Sequence, residues 1–186
     1  MKGRLLRADD TIYGISDRVC FFNNGIVALF NSATYIIDGK NIESFLENVD
    51  VATTILCLAR YSDDYSRSAG PSMMFAKDTT DHPESRNVTL NAAGKLHQNL
   101  SLGFTSRLTM LNGDEEFSCV ISLSHIFGFC RNVRKVIFSA KHTVALVRKA
   151  TDIDAIWRDS AVNAGKVIFT KLSFWMPVMT PLLAKE

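Results

Sequence analysis

Apolar and polar residues alternate along much of the second half of the chain. From 100 to 110, Leu100, Leu102, Phe104, Leu108 and Met110 alternate with Ser101, Gly103, Thr105, Arg107 and Thr109, and only Ser106 interrupts the apolar face. A period of two is that of a strand with one buried side, so the spacing predicts a strand here. Asn112-Gly113-Asp114 reads as a turn, after which Phe117, Cys119, Ile121 and Leu123 alternate with Ser118, Val120 and Ser122. From 136 to 146, Val136, Phe138, Ala140, His142, Val144 and Leu146 share one face. From 166 to 176, Ile168, Thr170, Leu172, Phe174 and Met176 share another. Pro177 and Pro181 end that run, because proline cannot donate to a ladder.

The first half carries a different grammar. Residues 1–17 are polar and mixed and predict a flexible N-terminal arm. Three apolar runs follow, at 18–22, 26–30 and 33–37. Asn23-Asn24-Gly25 separates the first two and Asp38-Gly39 ends the third, which predicts hairpins, since these residues supply the positive φ that tight turns need. Ile42, Phe45, Leu46, Val49, Thr53, Leu56 and Ala59 then recur at three- and four-residue intervals, the spacing of one helix face. Residues 62–95 turn polar and include Gly70-Pro71 and His82-Pro83, so they read as a long surface excursion, with room for a short helix or a functional loop. Seven or eight strands with one inserted helix predict an all-β fold, an antiparallel β-sandwich. The expected organisation is the arm at 1–17, one domain at 18–178 and a C-terminal tail at 179–186.

Composition bounds this picture without naming a function. A chain of 186 residues with 47% apolar and 22% charged residues fits one globular domain. It is long enough to bury roughly 70% of its unfolded surface, so it needs no disulfide or metal to fold. Net charge is +2, split as −3 over residues 1–93 and +5 over 94–186. No run of five like charges occurs, so the basic excess reads as solvated charge. Arg131, Arg134, Lys135, Lys141, Arg148, Lys149 and Arg158 form no clean stripe with aromatics between them, which argues against nucleic acid as a specific partner. Cys20, Cys57, Cys119 and Cys130 sit among apolar neighbours with no CxxC pair, as buried thiols in a reducing compartment do. The N-terminus lacks the apolar core of a signal peptide, and no apolar stretch reaches about 18 residues, so no membrane association is expected. The expectation this favours is an intracellular location, cytoplasm or nucleus.

Motifs that carry chemistry are sparse. Gly165-Lys166 lacks the preceding Gly and following Ser/Thr of a phosphate-binding loop, and neither GxGxxG nor GxSxG occurs. The histidines at 82, 97, 125 and 142 form no HxH, HxxxH or HExxH pair, so no metal site is expected. His142 reads as a semi-buried, hydrogen-bonded residue and His125 as a strand-end residue capping a loop. Asp63-Asp64 and Asp152/Asp154 sit in turn-like contexts where Asp bonds nearby amides. Glu115-Glu116 reads as a solvated strand start. The expected catalytic, cofactor-binding and metal-ligating sets are empty.

One ordered set of residues is more specific. It runs Leu123-Ser124-His125-Ile126-Phe127-Gly128-Phe129-Cys130, Lys135-Val136-Ile137, 141–148 (KHTVALVR), Asp154-Ala155-Ile156-Trp157-Arg158 and Trp175-Met176-Pro177. In order and spacing it resembles the double jelly-roll-like domain proteins, themselves similar to major capsid proteins of Polinton-type elements and adintoviruses. The first half is similar more loosely, through Asn23-Asn24-Gly25, Tyr35 and Tyr61-Ser62-Asp63-Asp64-Tyr65. The resemblance spans roughly 18–178 and implies a jelly roll, hence an antiparallel jelly-roll β-sandwich. It implies a structural, non-catalytic, capsid-like protein that self-associates as a homo-oligomer, a trimer or larger, or pairs with a second jelly-roll domain. Assembly would place it in a virion-like particle. The chain departs from the pattern by spanning only what would be the first barrel, and by Val178 after Pro177 where the family tends to have His. A second reading is a single jelly-roll binding module that recognises a protein or ligand through the 62–95 loop. A third, an enzyme on a β-barrel, is opposed by the absent HxH and nucleophile motifs.

Overall fold

The computed structural model describes residues 1–14, 17, 19–78, 102–111, 116–158 and 162–178. Its strands are β1 (Lys2–Arg7), β2 (Val19–Phe21), β3 (Phe30–Ile37), β4 (Lys40–Phe45), β5 (Glu116–Ser118), β6 (His142–Arg148), β7 (Ile156–Arg158) and β8 (Gly165–Lys171). Every strand pairing among the described residues is antiparallel. The strands form three small sheets, in the orders β5-β1-β8, β2-β7 and β4-β3-β6. The fold is an all-β, jelly-roll-type sandwich. It carries more helix than the single one expected: α1 (Gly25–Ala28), α2 (Val49–Arg60), α3 (Asp63–Ser68), α4 (Leu102–Leu108), α5 (Leu123–Ile126) and α6 (Gly128–Asn132).

The β3–β4 hairpin follows directly from its turn residues. Asp38 (φ 47°) and Gly39 (φ 78°) both take the left-handed conformation, and Ile37 pairs with Lys40 across a two-residue loop. That is the twist-matched turn that Asp-Gly favours. β6 adds to the other edge of β3, with Tyr35 opposite Val144 and Ile37 opposite His142. The face shared by His142, Val144 and Leu146 is half-buried, and Thr143, Ala145 and Val147 are exposed, as the alternation requires.

The N-terminal arm is a correction. Its residues 2–7 form β1, the middle strand of its sheet, hydrogen-bonded to β5 on one side and β8 on the other. Leu5 is fully buried and Leu6 nearly so. At Gly3, an added Cβ would lie 2.5 Å from the Ile168 carbonyl and 2.7 Å from the Phe117 ring, so only glycine fits between these neighbours. Charged residues dominate the local sequence, and the burial comes from strands more than 100 residues away.

Further expectations change. The run 26–30 does not form the middle strand of a hairpin; it supplies most of α1 and the start of β3. The predicted helical stretch is split, with β4 up to Phe45 and α2 only from Val49. The predicted strand at 100–110 contains α4 instead. Phe104 and Leu108 stand four apart and so satisfy either period. Packing decides: Gly103 sits where a Cβ would be 2.1 Å from the Lys77 carbonyl, which lets α4 press onto the 76–78 backbone.

The main core lies between the sheets. It joins Leu5, Val19, Phe21, Leu29, Phe30, Ala33, Tyr35, Phe117, Phe127, Ile156 and Val167. Phe30 stacks on Phe169 at 5.8 Å, and the Arg148 guanidinium lies 5.0 Å over the same ring, which ties β3, β6 and β8 together. Glu43 of β4 closes another side: its two carboxylate oxygens accept from the Gly128 amide at 2.9 Å and the Phe129 amide at 2.7 Å. Glu43→Ala leaves both amide donors without this partner, so we expect a loss of about 1–3 kcal/mol, read as a lower urea midpoint at unchanged slope. An unchanged midpoint would show that the bonds contribute nothing.

Candidate functional site

Two features stand out: a buried polar cluster and several exposed apolar surfaces. The cluster centres on His125 of α5, which is fully buried. Its Nε2 lies 3.1 Å from Asn24 Oδ1 and its Nδ1 lies 3.2 Å from the Tyr61 hydroxyl. Asn24 Nδ2 donates to Thr53 Oγ1 at 2.9 Å and to Thr54 Oγ1 at 3.1 Å. Asn24 Oδ1 must therefore accept, which assigns the ring proton to Nε2 and leaves Nδ1 to accept from Tyr61. The Tyr61 and His125 rings are parallel, with planes 6° apart and centroids at 5.7 Å. Cys57 Sγ sits 3.2 Å from Nε2 and 3.4 Å from Nδ1, along the ring edge between them.

A thiol beside an imidazole invites a nucleophile reading. The electrostatics oppose it. Burial pushes the Cys57 thiol up to about 12, and burial together with the nearby Arg131 charge brings the His125 imidazole down to about 4. Burial likewise raises the Tyr61 hydroxyl to about 12. A reactive thiolate–imidazolium pair requires the opposite shifts. At neutral pH the pair is neutral and sealed, and what it does is lock the helices together: Asn24 precedes α1, Thr53 and Cys57 lie on α2, and His125 on α5.

His125 is thus not a strand-end loop cap; it is the centre of a buried network. The pattern missed Asn24 because Asn23-Asn24-Gly25 reads as a turn, and Asn24 does adopt φ 62°. The available signal was Thr53 and Cys57, polar or thiol residues four apart on a buried helix face. His142 is half-buried, with Nδ1 2.7 Å from the Tyr35 hydroxyl.

The acidic pairs are structural. Asp63 opens α3 and lies 3.6 Å from Lys77 Nζ. Asp152 accepts from Arg148 at 2.6 Å and from the Val167 amide at 2.7 Å. Asp154 and Asp50 share Lys149, at 3.0 and 2.9 Å. Glu116 lies 3.7 Å from Arg4, whereas Glu115, His82, His97 and the 79–95 part of the excursion lie outside the described residues. Arg131 donates twice to the Ser124 carbonyl, and Arg148 also to the Val167 carbonyl, so these cations hold backbone. Among the described residues, no group of three or more His, Cys, Asp or Glu could hold a metal, and no helix is long and apolar enough to cross a membrane.

The exposed apolar surfaces carry more weight. After β8, residues 172–178 form neither helix nor strand and all are exposed, including Leu172, Phe174, Trp175 at 86% and Val178 at 86%. Lys171 pairs with Lys2 at the end of β1, so this segment runs past its neighbouring strand. Phe138 is 80% exposed. Large apolar side chains concentrated in this way mark interaction surfaces.

A family model for the double jelly roll-like domain matches residues 87–183, about half of the chain. No curated protein and no solved structure matches the chain significantly.

Proposed function

Because the chain belongs to the double jelly roll-like domain family, a generally structural family with a capsid-type fold, we propose that it is a structural, capsid-like protein that self-associates through its jelly roll. The observation that carries this reading is the 172–178 segment, where five of seven residues are large and apolar and all seven are exposed. Its occupant is another copy or a second jelly-roll domain. Burying a side chain such as Phe174 or Trp175 contributes about 1.5–3 kcal/mol, enough to drive a repeated contact. The neutral, closed Cys57–His125 pair supports a structural role over a thiol-based one.

The test is the double variant Phe174→Ser/Trp175→Ser. Both residues are exposed in the single chain, so we expect its melting temperature to stay within about 2 °C of the unmodified protein. Its assembled mass falls to that of smaller species. An assembled mass that the double substitution leaves unchanged would remove this segment from the contact.

A further inference from the structure

Helix α2 packs inside out. It buries Val49, Thr53 and Cys57, two of them polar or thiol-bearing, against the His125 network. Outward it presents Val51, Ile55 at 62% exposure and Leu58, with Ala52 and Ala59 exposed beside them. The outward residues are spaced four and then three apart. That is the seam by which one helix packs on another. A helix that spends its polar side on the interior and its aliphatic side on solvent presents a docking face.

We propose that α2 is a two-fold contact between two copies of this chain, packed antiparallel about Ile55. The inference rests on the self-association reading and adds a second surface, separate from 172–178. The seam is complementary to itself: a two-fold axis at Ile55 sets Val51 of one copy against Leu58 of the other, and the exposed alanines allow close approach. From Val51 to Ala59 there is no charged residue, so nothing repels a second copy. The helix also has a charge polarity along its axis. Glu47 and Asp50 lie at the N-terminal end and Arg60 at the C-terminal end. Asp50 is engaged with Lys149, while Glu47 and Arg60 are exposed and carry no ion pair among the described residues. Antiparallel packing sets each acidic end beside a basic end and opposes the helix dipoles; parallel packing would do the reverse. A 12-residue helix face is smaller than the roughly 800 Å² per partner of a standard interface, so the contact is concentration-dependent. An isologous contact combined with a different second contact extends an assembly beyond a closed ring.

The test is sedimentation velocity over a concentration series on the full chain and on Ile55→Glu, together with oxidation of Ile55→Cys and Val51→Cys. Ile55 is exposed, so Ile55→Glu keeps the circular dichroism spectrum and melting temperature of the parent. We expect it to halve the mass of the largest species or reduce it further. Oxidised Ile55→Cys is expected to run as a covalent dimer, because only a residue on the axis meets its own copy. Two Val51 positions would lie about 12 Å apart along the axis, beyond disulfide reach, so Val51→Cys stays unlinked. A parent chain that assembles while Ile55→Glu assembles equally, or Ile55→Cys that links no better than Val51→Cys, would overturn the α2 contact alone. A parent chain that stays monomeric at every concentration would overturn the self-association reading along with it.

Discussion

His125→Ala lowers the free energy of unfolding by about 3–5 kcal/mol. The substitution empties the space of a fully buried ring and removes the partner of Asn24 Oδ1 and of the Tyr61 hydroxyl. Three helices meet at this ring, so the loss is not confined to α5. Small domains hold about 5–15 kcal/mol in total, which places the variant near the edge of folding at 37 °C. Urea unfolding gives the number directly. A loss under about 1 kcal/mol would mean that water or repacking satisfies the network.

The same residue makes the protein sensitive to acid. Burial holds the His125 imidazole at about 4 in the folded state, against about 6.5 when unfolded. Above about pH 6.5 both states are neutral and the full stability is present. As pH falls from 6.5 to 4, the unfolded chain takes up a proton that the folded chain refuses, so stability drops. The whole shift corresponds to about 3 kcal/mol. His125→Asn, which cannot titrate, is expected to show a shallower stability profile over that window. Asp9 and Asp17, whose carboxyls are held below their ordinary range by hydrogen bonds to Thr11 and to Gly14, contribute equally in both proteins and cancel in the comparison. Equal slopes for the two proteins would place the proton elsewhere.

Arg107→Met is the second large effect. The guanidinium is nearly fully buried on α4 and donates to the Ala76 carbonyl at 2.6 Å and to Asp78 at 3.0 and 3.3 Å. It also lies 6.0 Å over the Phe104 ring, which packs edge-on against Trp157 at 4.6 Å. Asp78 keeps 26% exposure, so the pair is only part-buried, and losing it together with the donor to the buried Ala76 carbonyl costs about 2–3 kcal/mol, or roughly 8 °C in melting temperature for a domain of this size. Arg107→Lys does not rescue it, because one ammonium cannot reproduce the forked geometry that reaches both acceptors. Full rescue by lysine would mean that charge alone holds α4.

These positions also show how far the fold was legible in the sequence. The Asp38-Gly39 hairpin and the alternation through β6 were readable because both are local: a turn residue fixes its own dihedrals, and a strand with one covered face repeats every two residues. β1 was not readable. Its Leu5-Leu6 pair sits among Lys2, Arg4 and Arg7, and its central place comes from pairing with β5 and β8. α4 was misread because Phe104 and Leu108 satisfy both periods, and the deciding contacts come from Gly103 and Arg107 against residues 76–78. α2 was assigned the right type and, through Val49 and Thr53, the right inner face; the second, outward stripe of Val51, Ile55 and Leu58 was not read, because a pattern shows which residues share a face and not whether that face has a partner. The His125 network joins residues 101 positions apart and left only Thr53 and Cys57 as a trace. The double jelly roll-like resemblance was carried by an ordered set of residues, and the family match over 87–183 bears it out.

Self-association is the central claim, and the solution mass of the purified 186-residue chain tests it most directly. Size exclusion with light scattering, run over a concentration series, is the measurement. The account predicts a defined trimer or a larger assembly whose mass grows with concentration. A mass of 20.7 kDa at every concentration would contradict it.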